Sequence, residues 1–339
     1  DNRFIDINKR ENYLFNSSIN GIEESDLIFL IGTNPRYEAT ILNARIRKSF
    51  LNNNTKVISL NNLGDLTFPY ESLDGQTQTL KDIFEDNHEI SKKIIAADKP
   101  MIILGESLLN LKSSKYFFNI IKEFLVSNDK INDDWNSFNI LSSDAATVGN
   151  FDLGLVNEDN NLLEDLQNHK FDIIYLVGQD NLNFDKKDEF IIYQGSHGDK
   201  GAEMADIILP GSAYTEQDGF FTNLEGNLQK AYKASYPPGE AKEDWQIINE
   251  LAEVMNNRKL FNDKDELESS MINYLNLQKE KQNSLVDQNK DISTDDFNNE
   301  TLTVSVKDYY FSNVIARSSK TMVECNNSKL NLKPTGTEG

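Results

Sequence analysis

Asp26-Leu27-Ile28-Phe29-Leu30-Ile31-Gly32-Thr33-Asn34-Pro35-Arg36 is the stretch on which the fold turns. An unbroken apolar run stops at a glycine and passes through Asn-Pro into a helical pattern. In residues 39–50, Ile41, Leu42, Ile46 and Phe50 fall near one face, with Arg45, Arg47 and Lys48 outside. A short apolar run without polar alternation reads as a strand buried on both faces. Strands of that kind belong to parallel sheets, where crossover helices cover both sides.

Outward from this stretch the same signature recurs at 56–60, 101–104, 138–141, 172–177, 190–194 and 207–209. Gly105, Gly178, Gly195 and Gly211 follow several of these runs, where a strand turns into a loop. A second helical pattern, 114–126, sets Tyr116, Phe117, Ile120, Ile121 and Phe124 together. Strand alternating with helix predicts a doubly wound α/β fold with mainly parallel sheets. The style changes after residue 211. Residues 220–236 read as an irregular hairpin, Pro237-Pro238-Gly239 as a break, and Asp244 as the cap of a helix over 245–255. One amphipathic helix is expected near 267–278, within a polar stretch, and a strand at 301–306. The organisation expected is an α/β region over 1–255, a divergent polar helical segment with a C-terminal docking region over 256–325, and a disordered tail over 326–339.

The formal charge of −21 repels phosphate backbones and anionic lipid, so neither nucleic acid nor a membrane surface is an expected partner. Cys325 is the single cysteine, so no disulfide and no four-thiolate zinc or iron–sulfur site fits within these 339 residues. His88, His169 and His197 lie far apart and do not suggest a metal site. No stretch is long and apolar enough for a transmembrane helix, and the first residues, which do not include Met, carry no signal-peptide pattern. The 42 asparagines crowd loops and helices alike and read as compositional bias. The acidic pairs Asp133-Asp134 and Asp295-Asp296 read as solvated surface.

Three motifs carry candidate chemistry. Gly32-Thr33-Asn34-Pro35-Arg36, between strand and helix, is either a nucleotide contact or a plain connection. It is not a G-x-G-x-x-G, and no P-loop lysine motif is present. Gly195-Ser196-His197-Gly198-Asp199-Lys200-Gly201-Ala202 places His197 beside Asp199, which invites an acid–base reading. With no nucleophile in evidence, loop-ordering hydrogen bonds are favoured for both. The third group runs from Ala205 through Pro210-Gly211 and Tyr214-Thr215-Glu216 to Asn223-Leu224-Glu225-Gly226-Asn227-Leu228-Gln229. Spacing alone leaves open whether it is a binding loop or a packed hairpin cap.

Together these motifs resemble the molybdopterin-oxidoreductase superfamily, and most closely its complex I branch, the large iron–sulfur subunit of NADH:ubiquinone oxidoreductase. The glycine turn with Leu42-Asn43-Ala44-Arg45-Ile46-Arg47-Lys48 is similar to that branch in detail. So are residues 190–199, residues 205–239 with Glu243-Asp244-Trp245, and the C-terminal Asp308-Tyr309-Tyr310, Ile315-Ala316-Arg317-Ser318-Ser319-Lys320-Thr321-Met322 and Cys325. Residues 258–299 look divergent. Two departures stand out. The cysteine-rich half that carries the clusters is missing, and the superfamily's Glu-Gly-Arg-x-Gln is Glu225-Gly226-Asn227-Leu228-Gln229 here. Losing that Arg removes a fixed cation suited to bidentate anion contact.

The resemblance implies a molybdopterin-oxidoreductase-like fold without its cofactor, and function by assembly. Iron–sulfur clusters and FMN are expected in partner chains, and no catalytic residue or metal in this one. The partners implied are the cysteine-rich half and other matrix-arm subunits, on the matrix side of the mitochondrial inner membrane. The subunit is read as split over two polypeptides or as part of a longer one. Gly32, Asn34, Arg36, His197, Asp199, Glu216, Asn223 and Gln229 are the candidates for a vestigial pocket. Two alternatives stand beside this reading: a fragment of an active enzyme binding a pterin guanine dinucleotide, and a free-standing α/β binding protein for a small anion.

Overall fold

The structure, a computed structural model, describes residues 4–156, 162–179, 182, 184–284, 297–306, 308 and 310–331. Asp295-Asp296, Tyr309 and the end of the expected tail, 332–339, lie outside the described residues. Contacts divide the chain into two units: 1–156 with 222–228 and 275–307, and 157–221 with 229–274 and 308–339. This division differs from the ranges 1–255 and 256–325 read from the sequence.

The first unit is built on β1 (Leu27–Ile31), α1 (Pro35–Glu38), α2 (Thr40–Asn53), β2 (Lys56–Ser59), β3 (Glu71–Ser72), α3 (Thr77–Phe84), α4 (Glu89–Ala96), β4 (Pro100–Gly105), α5 (Glu106–Leu109), α6 (Ser114–Ser127), β5 (Phe138–Leu141) and α7 (Thr147–Asp152). Its sheet is parallel, in the order β3-β2-β1-β4-β5. The apolar runs explain the layering. Alternate residues of β1 face opposite ways: Leu27, Phe29 and Ile31 join a core with Leu80, Ile83, Phe117, Ile121 and Phe124 of α3 and α6. Ile28 and Leu30 join a second core with Leu42 and Ile46 of α2 and with Trp135. The chain winds from β1 through β2 to β3 in one direction and adds β4 and β5 in the other. Right-handed crossovers therefore place helices on both faces.

The second unit is built on α8 (Leu162–Gln167), β6 (Ile173–Val177), β7 (Phe190–Gly195), α9 (Lys200–Met204), β8 (Ile207–Pro210), β9 (Gly219–Thr222), β10 (Leu228–Ala231), α10 (Asp244–Asn256), α12 (Val314–Ser318) and α13 (Lys320–Asn331), and the division between the units falls within α11 (Lys264–Ser284), after Tyr274. β6, β7 and β8 form a parallel three-stranded sheet in that order. Ile174, Leu176, Ile191 and Tyr193 pack on one face with Leu166 of α8, Phe184, and Ala202 and Met204 of α9. β9 and β10 pair as the expected hairpin.

Several details differ from the sequence reading. Helix α10 is capped by Glu243 in a capping box with Gln246, not by Asp244. Asp244 is the first helical residue, and its carboxylate accepts from Gln194 Nε2 at 2.8 Å and Gln217 Nε2 at 3.1 Å instead. Residues 301–306 form no strand; a lone antiparallel bridge joins Thr301 to Gln76. The helix expected near 267–278 extends over Lys264–Ser284. Residues 326–331, expected to begin a disordered tail, continue helix α13.

Candidate functional site

Strand order reverses between β1 and β4, and in a doubly wound sheet the crevice beyond the strands' carboxyl ends at that point is where ligands sit. Gly32 ends β1 with φ +68°. A Cβ there would lie 2.6 Å from the Leu108 backbone nitrogen. A Cβ on Gly105, at the end of β4, would run into the Gly32 carbonyl oxygen. Ser107 N donates to that same oxygen at 3.2 Å. Both glycines are thus required because the two strand ends touch.

The start of α1 is also occupied from within. Asn34 caps it, accepting from Arg36 N at 3.2 Å, and donates to Leu63 O at 3.1 Å. The Glu38 carboxylate accepts from Asn34 N at 2.5 Å and Thr33 Oγ1 at 2.6 Å. A carboxylate of the chain therefore stands where a helix start would otherwise receive an anion. Arg36 is turned to Asp65, 2.6 Å from its carboxylate. The Thr67 amide, and then Arg36, hold the Asp65 carboxyl below its ordinary range.

Residues 297–306 lie across this edge. Leu302 N donates to Gly75 O at 2.9 Å, Thr77 N to Glu300 O at 2.9 Å and Ser305 N to Ser107 Oγ at 3.0 Å. Asn61 Nδ2 donates to Leu302 O at 2.5 Å. Leu302, 1% exposed, enters the core on one face of the sheet, and Val304 packs on the core of the other. The segment so bridges both layers over the carboxyl ends of β2 and β4. What remains is a cleft of about 360 Å³ walled by Asn34, Asn61, Asn62 and Leu63 and by the segment itself.

Most of the other candidates are engaged within the chain's own loops and caps. Asn223 Oδ1 orders its own turn, accepting from Glu225 N at 3.1 Å and Asn227 N at 2.8 Å. Glu225 Oε1 accepts from Ile19 N at 2.8 Å. In the second unit, Asp199 caps α9 and binds Arg317 Nε at 2.8 Å, and Arg317 is the main cause of its lowered pKa. His197 does not pair with it: its Nδ1 lies 3.0 Å from Ser196 Oγ, and its carbonyl accepts from the Tyr193 hydroxyl at 2.9 Å. Glu216 accepts from Ala213 N at 2.9 Å, and Gln229 is an exposed residue of β10. Gly32, Asn34, Arg36 and Asn223 belong to one unit and the remaining four to the other.

Sequence reasoning missed a further constellation. The Arg10 guanidinium grips Asp152 through two bonds of 2.9 and 2.8 Å and donates to Gly226 O at 2.6 Å, while the buried Tyr13 hydroxyl donates to Asp152 at 2.8 Å. Arg10 is 142 residues from Asp152 and 216 from Gly226, so no local spacing signals the cluster. Among the described residues, no three His, Cys, Asp or Glu side chains are grouped for a metal, and no helix is long and apolar enough to cross a membrane.

The geometry defines a class: a doubly wound α/β chain whose ligand crevice is bridged and narrowed by its own backbone and side chains. The sequence profile described as Molybdopterin oxidoreductase matches residues 3–254, and the chain belongs to that family. A second profile, for the C-terminal region of an NADH-ubiquinone oxidoreductase subunit, matches residues 271–325. The chain is 38% identical to the mitochondrial NADH-ubiquinone oxidoreductase 78 kDa subunit of Candida albicans, over 93% of this chain and 45% of that protein. It is 37% identical to the NADH-ubiquinone oxidoreductase 75 kDa subunit of Reclinomonas americana, over 93% of this chain and 47% of that protein. An NADH-quinone oxidoreductase subunit of the bacterium Rickettsia bellii is 37% identical, over 98% of this chain and 48% of that protein. The chain thus spans a little under half the length of these curated relatives.

The family's name implies a molybdopterin. The crevice residues do not fit one: Glu38 holds the Asn34 amide and the Thr33 hydroxyl, glycine contact brings β1 against β4, and residues 297–306 cover the edge.

Proposed function

We propose that this chain is a structural part of the peripheral arm of a respiratory NADH:ubiquinone oxidoreductase. It supports electron transfer from NADH without holding a redox centre of its own. The observation that carries this is the crevice bridged by residues 297–306, in a chain similar along its length to the large subunits of that complex. Iron–sulfur clusters and FMN belong to partner chains: the cysteine-rich half of the same subunit and other matrix-arm subunits. Its place is the matrix side of the mitochondrial inner membrane. Cys325 is exposed on α13, alone, and has no role in ligation. Gly32, Asn34 and Arg36, with their counterparts in the second unit, hold loops together and bind no pterin.

The active-enzyme alternative requires a pterin guanine dinucleotide to displace both Glu38 and the buried Leu302. The test is blue-native electrophoresis of solubilised organelle membranes, with mass spectrometry of each band and molybdenum analysis of the band carrying the chain. The chain should migrate with NADH dehydrogenase activity, without molybdenum. Migration as a free species, or stoichiometric molybdenum, would overturn the reading.

A further inference from the structure

The two sheets are finished to different degrees. In the first unit the chain winds both ways from β1, and both faces are buried under helices. In the second unit β6, β7 and β8 follow one another in order, so right-handed crossovers pass over one face only. That is the face carrying α8 and α9. The opposite face is mainly apolar and is open at Ile173, Val177, Phe190 and Ile207, with Tyr175 and Ile192 part-buried between them and Gln194 buried. Register places Ile173 beside Phe190, Tyr175 beside Ile192 and Ile207, and Val177 along the same side. Ile173 is 65% exposed and Phe190 42%, with Val177 and Ile207 similar. The carboxyl end of this face is met where Gln194 donates to Asp244 at the start of α10.

The edges differ too. The outer side of β8 is engaged at its end, since Lys242 N donates to Pro210 O at 3.1 Å and Ser212 N to Lys242 O at 2.9 Å. Among the described residues nothing pairs with the outer edge of β6. Parallel sheets are stable when both faces are covered, and an open strand edge seeks a partner.

We infer that this face and the β6 edge are the docking surface for βα units from the part of the subunit this chain does not match. A strand beside β6, winding away from β7, is what carries helices onto the bare face. The relatives supply a source, because more than half of their length lies outside the match. The inference rests on the functional reading above, in that the occupant is the remainder of the same complex I subunit, joined covalently or not.

The test uses the assembled complex, affinity-purified, with benzoylphenylalanine in place of Phe190 or, separately, Ile173. After photolysis, peptide mass spectrometry is expected to place the adducts in the stretch of the subunit that this chain does not match. Adducts on this chain's own residues or on another subunit overturn the inference. Hydroxyl-radical footprinting of the unmodified complex is the second measurement. Phe190 and Ile173 should oxidise about tenfold or more slowly than in the urea-unfolded complex; equal rates overturn the inference while leaving membership of the complex intact. Absence of the chain from the complex overturns both readings.

Discussion

Glu38 shows how one side chain decides what a crevice does. Its carboxylate takes the Asn34 amide and the Thr33 hydroxyl, partners an anionic ligand would want. Hydrogen bonds to a charged acceptor contribute about 1.5–3 kcal/mol. Glu38→Ala should therefore lower urea stability of the first unit by roughly that amount, and an unchanged midpoint would count against the assignment. Glu189 gives a pH-dependent counterpart in the second unit. Its carboxyl accepts from Lys187 N at 2.7 Å and meets His169 Nδ1 at 2.5 Å. The Lys187 amide, foremost among its partners, helps hold its pKa down at about 2, against an ordinary value of 4.5. A carboxyl depressed in the folded state stabilises above its unfolded pKa, and that contribution is lost as pH falls toward the folded value. Acid titration followed by circular dichroism should show stability falling between pH 4.5 and about 2. Glu189→Gln should be less stable at neutral pH and fall less steeply across that window. An identical slope would remove Glu189 from the account.

At the scale of elements, the segment 297–306 makes the sharpest claim. Leu302 is fully enclosed, and truncating an enclosed Leu costs about 2–5 kcal/mol. Leu302→Ala should destabilise the first unit by that order in urea melts, whereas Thr303→Ala, at a less enclosed position, should cost little. Equal effects would mean that the segment does not lie in the core. The sequence could not show this contact, because Leu302 reaches Gly75 and Asn61 from more than two hundred residues away, and its apolar neighbours read as a strand. The long-range partners of Arg10 were hidden for the same reason. What was legible was local: each long apolar run is a parallel strand, and in β1 and β4 burial on both faces writes itself into consecutive residues, whereas β6, β7 and β8 carry similar runs with one face exposed. β3 was missed because Glu71-Ser72 is polar, exposed and only two residues long. Asparagine, read as bias, often works as punctuation. Asn34 and Asn313 cap helices through their side chains, and Asn54 and Asn257 end α2 and α10 in the left-handed conformation.

At the scale of the whole chain, the unequal covering of its two sheets has an energetic consequence. Ile173, Val177, Phe190 and Ile207 are each roughly half exposed on the bare face. Full burial of such a side chain is worth about 1.5–3 kcal/mol, so half-burial of all four forgoes roughly 3–6 kcal/mol. A whole domain is stable by only about 5–15 kcal/mol, so a deficit of this size reaches a large part of the total. The first unit carries no such deficit, since both faces of its sheet are buried. The isolated chain should therefore lose the second unit first. Amide exchange read by mass spectrometry should find β1 and β4 protected to the limit set by global unfolding. β6, β7 and β8 should exchange through a cheaper opening, faster by orders of magnitude. The order follows from covering more than from composition, because β7 opens on an apolar run, Phe190-Ile191-Ile192, as β1 does. Addition of the complementary half of the subunit should slow exchange in β6–β8 selectively, with β1 and β4 unchanged. If β6–β8 were already as protected as β1 in the isolated chain, the bare face would not be a deficit, and the case for an occupant would fail with it.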